Sequence, residues 1–233
     1  MARTRVKICG VRDVDTALAA VEAGADAVGM VFVERSPRRI DVDEAHRIVR
    51  VLPAFVQPVA LFSDAPWQKV RDLADAVGVR TVQVHGREGP GFVSRVRHLR
   101  VVKAIGFEAG RVAEQLDPWR QGVTNLAGLL LDTPPDSATH GDLTGGSGVA
   151  FDWAALAKLE REGAFDALPP RILAGGLTPD NVGEAIRVAR PFAVDVSSGV
   201  ESQRGVKDPA RIAAFCKAVR DADADANGAS HPD

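Results

Sequence analysis

Cys9, Arg38, His85, Asp132, Asp195 and two glycine- or serine-rich turns carry most of the chemistry this chain can offer. Each lies within, at the end of, or just beyond a short apolar run. Cys9 closes the run at 6–9, immediately before Gly10. A cysteine in a buried strand is commonly a small hydrophobe. As the last residue of its run, however, its thiol would stand at a strand mouth, where a lowered pKa makes it a base or nucleophile. Asp132 follows Leu129-Leu130-Leu131, and partial desolvation there would let a carboxyl hold a proton for donation. Asp195 lies inside the run at 193–196 and is expected either to be buried and paired or to bind a ligand hydroxyl. His85 is either a ligand or a hydrogen-bonded wall residue. Of Arg38 and Arg39, which follow Ser36-Pro37, one can grip a carboxylate bidentately while the other stays solvated. Lys103 either fills an interior or pairs with an acid. Cys216, at helical spacing between Ile212 and Val219, reads as core.

The turns suggest an anion site. Gly175-Gly176-Leu177-Thr178-Pro179-Asp180-Asn181 reads as a glycine turn leading into a helix start. Bare glycines let backbone N–H groups approach an anion, and a helix N-terminus favours negative charge. Ser197-Ser198-Gly199 offers a second set of donors. No His, Cys and Asp cluster has zinc-ligand spacing and no glycine pattern suits a dinucleotide, so neither a metal nor a cofactor is expected.

The elements that must position these residues alternate along the whole chain. Strand-like runs fall at 6–9, 27–32, 57–62, 81–85, 101–105, 128–132, 171–174 and 193–196. Most are continuously apolar, as in a parallel sheet covered on both faces. Helix punctuation fills the gaps. Asp13 and Gly24 bracket one helix, and Asp64 with Pro66 starts another that Gly78 ends. Thr178-Pro179 and Asp208-Pro209 begin two more. The segment 110–119 is the least helix-like. Eight such units predict an α/β fold of one domain, a (β/α)8 TIM barrel over residues 1–220, with an open doubly wound sheet as runner-up. In a barrel the reactive residues would share the mouth at the C-terminal strand ends, with phosphate held by the loops after the seventh and eighth strands. The stretch 133–152, rich in Gly, Ser, Thr and Pro, reads as a functional or mobile loop, and residues 221–233 as a flexible acidic tail.

Composition narrows the class. The 233 residues are 45% hydrophobic and 26% charged, which is ordinary for a soluble globular protein. A net charge of −2 and 5% aromatics, with no tyrosine, argue against a nucleic-acid partner. No apolar stretch approaches the roughly 18 residues of a membrane helix, and the N-terminus lacks the apolar core of a signal peptide. Two cysteines make no disulfide framework, so a cytoplasmic location is expected. Apolar residues on outer helices leave monomer and homodimer both open.

Together these residues resemble the phosphoribosylanthranilate isomerases of tryptophan biosynthesis. The resemblance runs from Val6 to about Val219. It rests on Lys7-Ile8-Cys9-Gly10, Gly24-Ala25-Asp26-Ala27-Val28-Gly29, Ser36-Pro37-Arg38, Gln83-Val84-His85-Gly86, Leu130-Leu131-Asp132-Thr133, Gly145-Gly146-Ser147-Gly148 with Phe151-Asp152-Trp153, the Gly175–Val182 segment and Asp195-Val196-Ser197-Ser198-Gly199-Val200-Glu201. It implies a cofactor-free Amadori rearrangement of a small phosphoribosyl substrate, N-(5′-phosphoribosyl)anthranilate, to 1-(2-carboxyphenylamino)-1-deoxyribulose 5-phosphate. By resemblance, Asp132 is the general acid, Cys9 the thiolate base and Arg38 the holder of the anthranilate carboxylate. The same resemblance puts Asp195 near the sugar hydroxyls and makes Gly175, Gly176, Ser197, Ser198 and Gly199 the phosphate site. The stretch 134–143 is longer than the family pattern. Two other readings compete: the related aldose–ketose isomerase of histidine biosynthesis, which uses paired aspartates where this chain has Cys9, and a non-catalytic phosphosugar-binding barrel.

Overall fold

Each apolar run becomes a strand because its β-branched and leucine side chains are covered on one side by helices and on the other by a shared interior. The computed structural model describes residues 3–121, 123–133 and 152–228. Eight strands, β1 (Arg5–Cys9), β2 (Ala27–Val31), β3 (Gln57–Phe62), β4 (Thr81–Val84), β5 (Arg100–Gly106), β6 (Leu126–Asp132), β7 (Arg171–Leu173) and β8 (Ala193–Val196), pair in chain order. All pairings are parallel, and β1 pairs with β8 in the register Lys7↔Asp195, which closes the barrel. The fold is a single (β/α)8 TIM barrel.

The helices between them are α1 (Val14–Ala23), α2 (Val42–Val51), α3 (Trp67–Val77), α4 (Pro90–Val93), α5 (Val112–Leu116), α6 (Trp153–Arg161), α7 (Val182–Ala189) and α8 (Pro209–Gly228). Asp13 caps α1 by accepting from Thr16 N at 2.7 Å, and Gly24 ends it at φ 98°. Asp208 caps α8 through Ala210 N at 2.8 Å. The segment 110–119 yields only the short α5 and a 3-10 turn at Asp117–Trp119. A hairpin that the sequence does not announce, β9 (Glu201–Gln203) with β10 (Val206–Lys207), sits between β8 and α8.

Side-chain alternation along each strand divides the labour. Ile8, Val28, Met30, Phe62, Val84, Leu129, Leu131 and Val194 face the helices and form the main core. Their neighbours face the barrel interior, where Val102, Ala104, Leu130 and Ala174 pack together and Cys9, Val31 and Leu61 form a second group nearer the mouth. Lys103 shares the parity of Val101 and Ile105 and pairs with buried Glu88 at 3.4 Å, which selects the acid-paired alternative.

Three local expectations are corrected. Asp64 does not cap α3; at φ 51° it turns the chain and accepts from Arg87 N at 2.7 Å, leaving Pro66 to precede the helix. Thr178-Pro179 precedes α7 by a full turn, because Asn181 holds Thr178 N at 2.8 Å and delays the helix to Val182. The helix α8 also continues past residue 220 to Gly228, into the stretch expected to be a flexible tail. Ala222 is buried, and Asp223 accepts from both Thr4 N and Thr4 Oγ1 at 2.7 Å. Residues 229–233 and the long loop at 134–151, with its Gly145–Gly148 motif, lie outside the described residues.

Asp223 therefore fastens the last helix to the start of the first strand. Asp223→Ala should leave two part-buried donors without an acceptor and cost about 1–3 kcal/mol. In urea denaturation this appears as a lower midpoint at unchanged slope; an unchanged midpoint would mean that the helix end contributes nothing.

Candidate active site

The C-terminal strand ends open into one shared cavity. Cys9, Arg38, His85, Asp132, Asp195, Gly175, Gly176, Ser197 and Ser198 all line it. Gly199 does not. A Cβ there would lie 1.9 Å from Leu177 O, so its missing side chain lets the turn after β8 pack against the loop after β7.

On the wall formed by β1 and β8, Lys7 and Asp195 make a buried ion pair at 2.8 Å. This answers the alternatives left open for Asp195: it is paired, yet it also reaches the cavity. Burial lowers the Lys7 ammonium's pKa, but the charges of Asp195 and Cys9 outweigh it and hold the group above its ordinary value. Burial, with Asp195, pushes the Cys9 thiol up, and Lys7 and Lys207 pull it only part of the way back, so it stays above its ordinary value rather than below it as the strand-end position suggested. Ser197 Oγ donates to Cys9 O at 3.1 Å and ties the turn after β8 to the end of β1.

Across the cavity, Gln83 and His85 lie two residues apart, which puts both on the inner face at β4. Gln83 Nε2 lies 3.1 Å from His85 Nδ1, and His85 Nε2 lies 3.3 Å from Asp132 Oδ2. With the amide donating to Nδ1, the imidazole carries its proton on Nε2 and donates it to Asp132. The other carboxylate oxygen accepts from Thr133 N at 2.8 Å. Gly175, at φ 80°, makes this approach possible, since a Cβ there would lie 2.3 Å from Thr133 Oγ1 and 2.9 Å from Asp132 Oδ1. Gln83 Oε1 and Ser63 Oγ are buried at the cavity wall with no protein partner among the described residues, so they are acceptor and donor groups available to a ligand.

The turn after β7 takes two successive left-handed residues, Gly175 and Gly176, and Asn181 clamps it by donating from Nδ2 to Gly176 O at 2.9 Å. Beside it, Arg38 is buried and its fork meets Glu201, with Nε at 2.6 Å and Nη2 at 2.9 Å. Its remaining N–H groups are those that a ligand carboxylate would use. Glu201 also accepts from Lys207 Nζ at 2.8 Å, and Lys207 reaches Ser197 O at 2.8 Å. Burial raises the Glu201 carboxyl, but the bonds from Arg38 and Lys207 outweigh it and hold the pKa at about 2.

Sequence reasoning missed Lys7, Gln83, Glu201 and Lys207 as site residues. Lys7 and Gln83 each stand two positions before a residue it did select, so strand parity alone would have found them. Lys207 gives no such signal, because only the β9–β10 hairpin turns it inward.

A thiol and a carboxyl share one cavity at the mouth of a closed barrel, beside a glycine turn and a serine turn. That arrangement is the mouth of a (β/α)8-barrel enzyme with its polar side chains gathered around one cavity. Residues 6–218 match the family model for N-(5′-phosphoribosyl)anthranilate (PRA) isomerase, and the chain belongs to that family. It is 42% identical over 220 residues to N-(5′-phosphoribosyl)anthranilate isomerase of Pseudomonas aeruginosa, covering 94% of this chain and 97% of that one. Phosphoribosyl anthranilate isomerase from Thermotoga maritima superposes with TM-score 0.81 at 38% identity, over 94% of this chain and 99% of that one. A solved phosphoribosyl anthranilate isomerase in complex with reduced 1-(o-carboxyphenylamino)-1-deoxyribulose 5-phosphate gives TM-score 0.78 at 37% identity over the same shares.

Glu201 lends itself to a test with a defined sign. Its folded pKa lies below the ordinary 4.5, so its contribution to stability is complete above that value and fades as pH falls toward 2. Glu201→Gln should therefore cost most at pH 7, approaching about 3 kcal/mol, and the gap to the native protein should narrow in acid. Denaturant titrations between neutral pH and the acid limb measure it. A gap independent of pH would show that the carboxyl titrates normally.

Proposed function

We infer that this chain isomerises N-(5′-phosphoribosyl)anthranilate to 1-(2-carboxyphenylamino)-1-deoxyribulose 5-phosphate, the Amadori step of tryptophan biosynthesis. The observation that carries the reading is the shared cavity, which Cys9 and Asp132 line together with both candidate phosphate turns.

The reaction is a sequence of proton transfers with no net oxidation. Protonation of the furanose ring oxygen breaks its bond to C1′ and leaves an iminium on the anthranilate nitrogen. The Asp132 carboxyl supplies that proton, steadied by His85 and by Thr133 N. The iminium acidifies the proton on C2′, and the Cys9 thiolate removes it to give an enol. The enol then becomes the ketone as O2′ loses a proton and C1′ gains one. Arg38 holds the anthranilate carboxylate, with Glu201 fixing the plane of its guanidinium. The N–H groups of the turn at Gly175 and Gly176 and the donors of Ser197 and Ser198 receive the phosphate, and Asp195 faces the sugar hydroxyls. The protein is net negative while its substrate carries two anionic groups, so attraction is local to this mouth.

No helix among the described residues is long and apolar enough to cross a membrane. Two free thiols suit a reducing cytoplasmic compartment, where the chain works as a monomer or homodimer.

The assay is the loss of anthranilate fluorescence when purified protein meets substrate. Cys9→Ala and Asp132→Asn should each lower kcat by roughly 10²–10⁴-fold with little change in product affinity. Near-native kcat in Cys9→Ala would remove the base assignment, and a rise confined to KM in Asp132→Asn would make that residue a binding group. Binding of product without any turnover by the native protein would favour the non-catalytic barrel.

A further inference from the structure

The reaction above uses the Cys9 thiolate but leaves unexplained the charges built around it. Lys7 stands two residues before Cys9 on the same inner face of β1, and its ammonium ion-pairs with Asp195 at 2.8 Å. Gly29, on the neighbouring strand, is what lets Lys7 and Cys9 lie together. A Cβ there would sit 3.0 Å from Cys9 Sγ and 3.1 Å from Lys7 Cε. The thiol and the lysine stem thus border the same space, which any other residue at 29 would contest.

The charged groups facing this wall can be named from every element around it. Lys7 comes from β1, Asp195 from β8, Lys207 from β10, Arg38 from the loop after β2 and Glu201 from β9. Glu201 serves Arg38 and Lys207 together. Asp195 serves Lys7. Asp132 and His85, across the cavity, are bonded to each other. Three buried cations therefore face two carboxylates. An uncompensated buried charge is costly, and the acidic group that shares the Gly29 space with Lys7 and can supply the third negative charge is the thiol.

We propose that Lys7, pinned by Asp195, is the counter-ion of a Cys9 thiolate and so a positioning residue for the base. Ionisation is a simple proton loss: the S–H bond breaks, its proton leaves through the cavity mouth to water, and Lys7 stays an ammonium. The proposal rests on the reading of Cys9 as the base, and its test is independent of turnover.

The test is the pH midpoint of Cys9 ionisation in the free full-length protein, read by thiolate absorbance and by the rate of iodoacetamide alkylation with Cys9→Ser as the blank. Lys7→Met should move the midpoint up by about 1–3 units, which slows alkylation at a fixed lower pH at least tenfold. Asp195→Asn should move it down, because Lys7 then serves the thiolate alone. A purely structural role for the pair would shift both variants the same way or neither, and either result overturns the proposal, as does an unmoved midpoint in Lys7→Met. Should Lys7→Met not fold, the sign in Asp195→Asn decides alone: down supports the counter-ion, unchanged or up removes it. Isomerase activity separates the two claims. A fully active Cys9→Ser removes the base reading and leaves the ionisation result standing, whereas an inactive Cys9→Ser with an unmoved Lys7→Met midpoint removes only the counter-ion.

Discussion

The ion pair of Lys7 with Asp195 spans the seam where the first strand meets the last. These two residues are also register partners, so the hydrogen bonds that close the barrel bring the charges together. Stability alone is a weak reason to keep such a pair. Desolvating both ions is expensive, and well-packed apolar residues of similar volume do as well or better. What the pair supplies is position. One residue slip at the seam would send Asp195 to the helix side and bring Val194 or Val196 into the barrel, leaving Lys7 buried without a carboxylate. Register at the seam and the placement of the Lys7 ammonium on the Cys9 strand are thus coupled through one contact.

The same economy holds at the mouth. Glu201 is a hub: its two oxygens hold Arg38, Lys207 and the backbone N–H of Gly205. Through Lys207 it reaches Ser197, and through Ser197 the carbonyl of Cys9. Guanidinium, serine turn and thiol strand therefore form one bonded unit, so a shift at the arginine is felt at the turn. The β9–β10 hairpin, absent from the barrel's repeating plan, exists at the place where this unit needs two inward charges.

Much of this was legible in the sequence, and the boundary between what was and was not has a physical cause. Strand count and order followed from runs such as Leu129-Leu130-Leu131, whose continuous apolarity reflects burial on both faces. Caps at Asp13 and Asp208 were legible because their bonds are local, two or three residues away. Where the deciding bond is long-range, local signals misled. Asp64 looks like a cap but serves Arg87 N, and residues 221–228 look like a tail but hold Asp223, which reaches Thr4 over 219 positions. At the site, Cys9 and Asp132 stood out because each ends an apolar run. Lys7, Gln83 and Lys207 did not, because their meaning lies in neighbours that only the closed barrel supplies.

The two candidate proton-transfer groups stand in unlike company. Cys9 stands beside the Lys7 stem and within the field of two buried ammonium groups, Lys7 and Lys207. Asp132 has as partners an imidazole and a backbone N–H, and among the described residues no lysine or arginine is ion-paired with it. Under the roles proposed for them this asymmetry is what the chemistry requires. A base must be an anion before it acts, so fixed positive charge beside it helps. A general acid must still hold its proton when substrate arrives, and a guanidinium at its side would strip that proton off. Gln83 completes the distinction. With the Gln83 amide donating to Nδ1, the His85 ring turns an N–H toward Asp132 and orients the carboxyl. The barrel places its cations on the β1–β8 wall and an amide–imidazole relay on the β4–β6 wall, and a ribose held between them would meet a base on one side and an acid on the other.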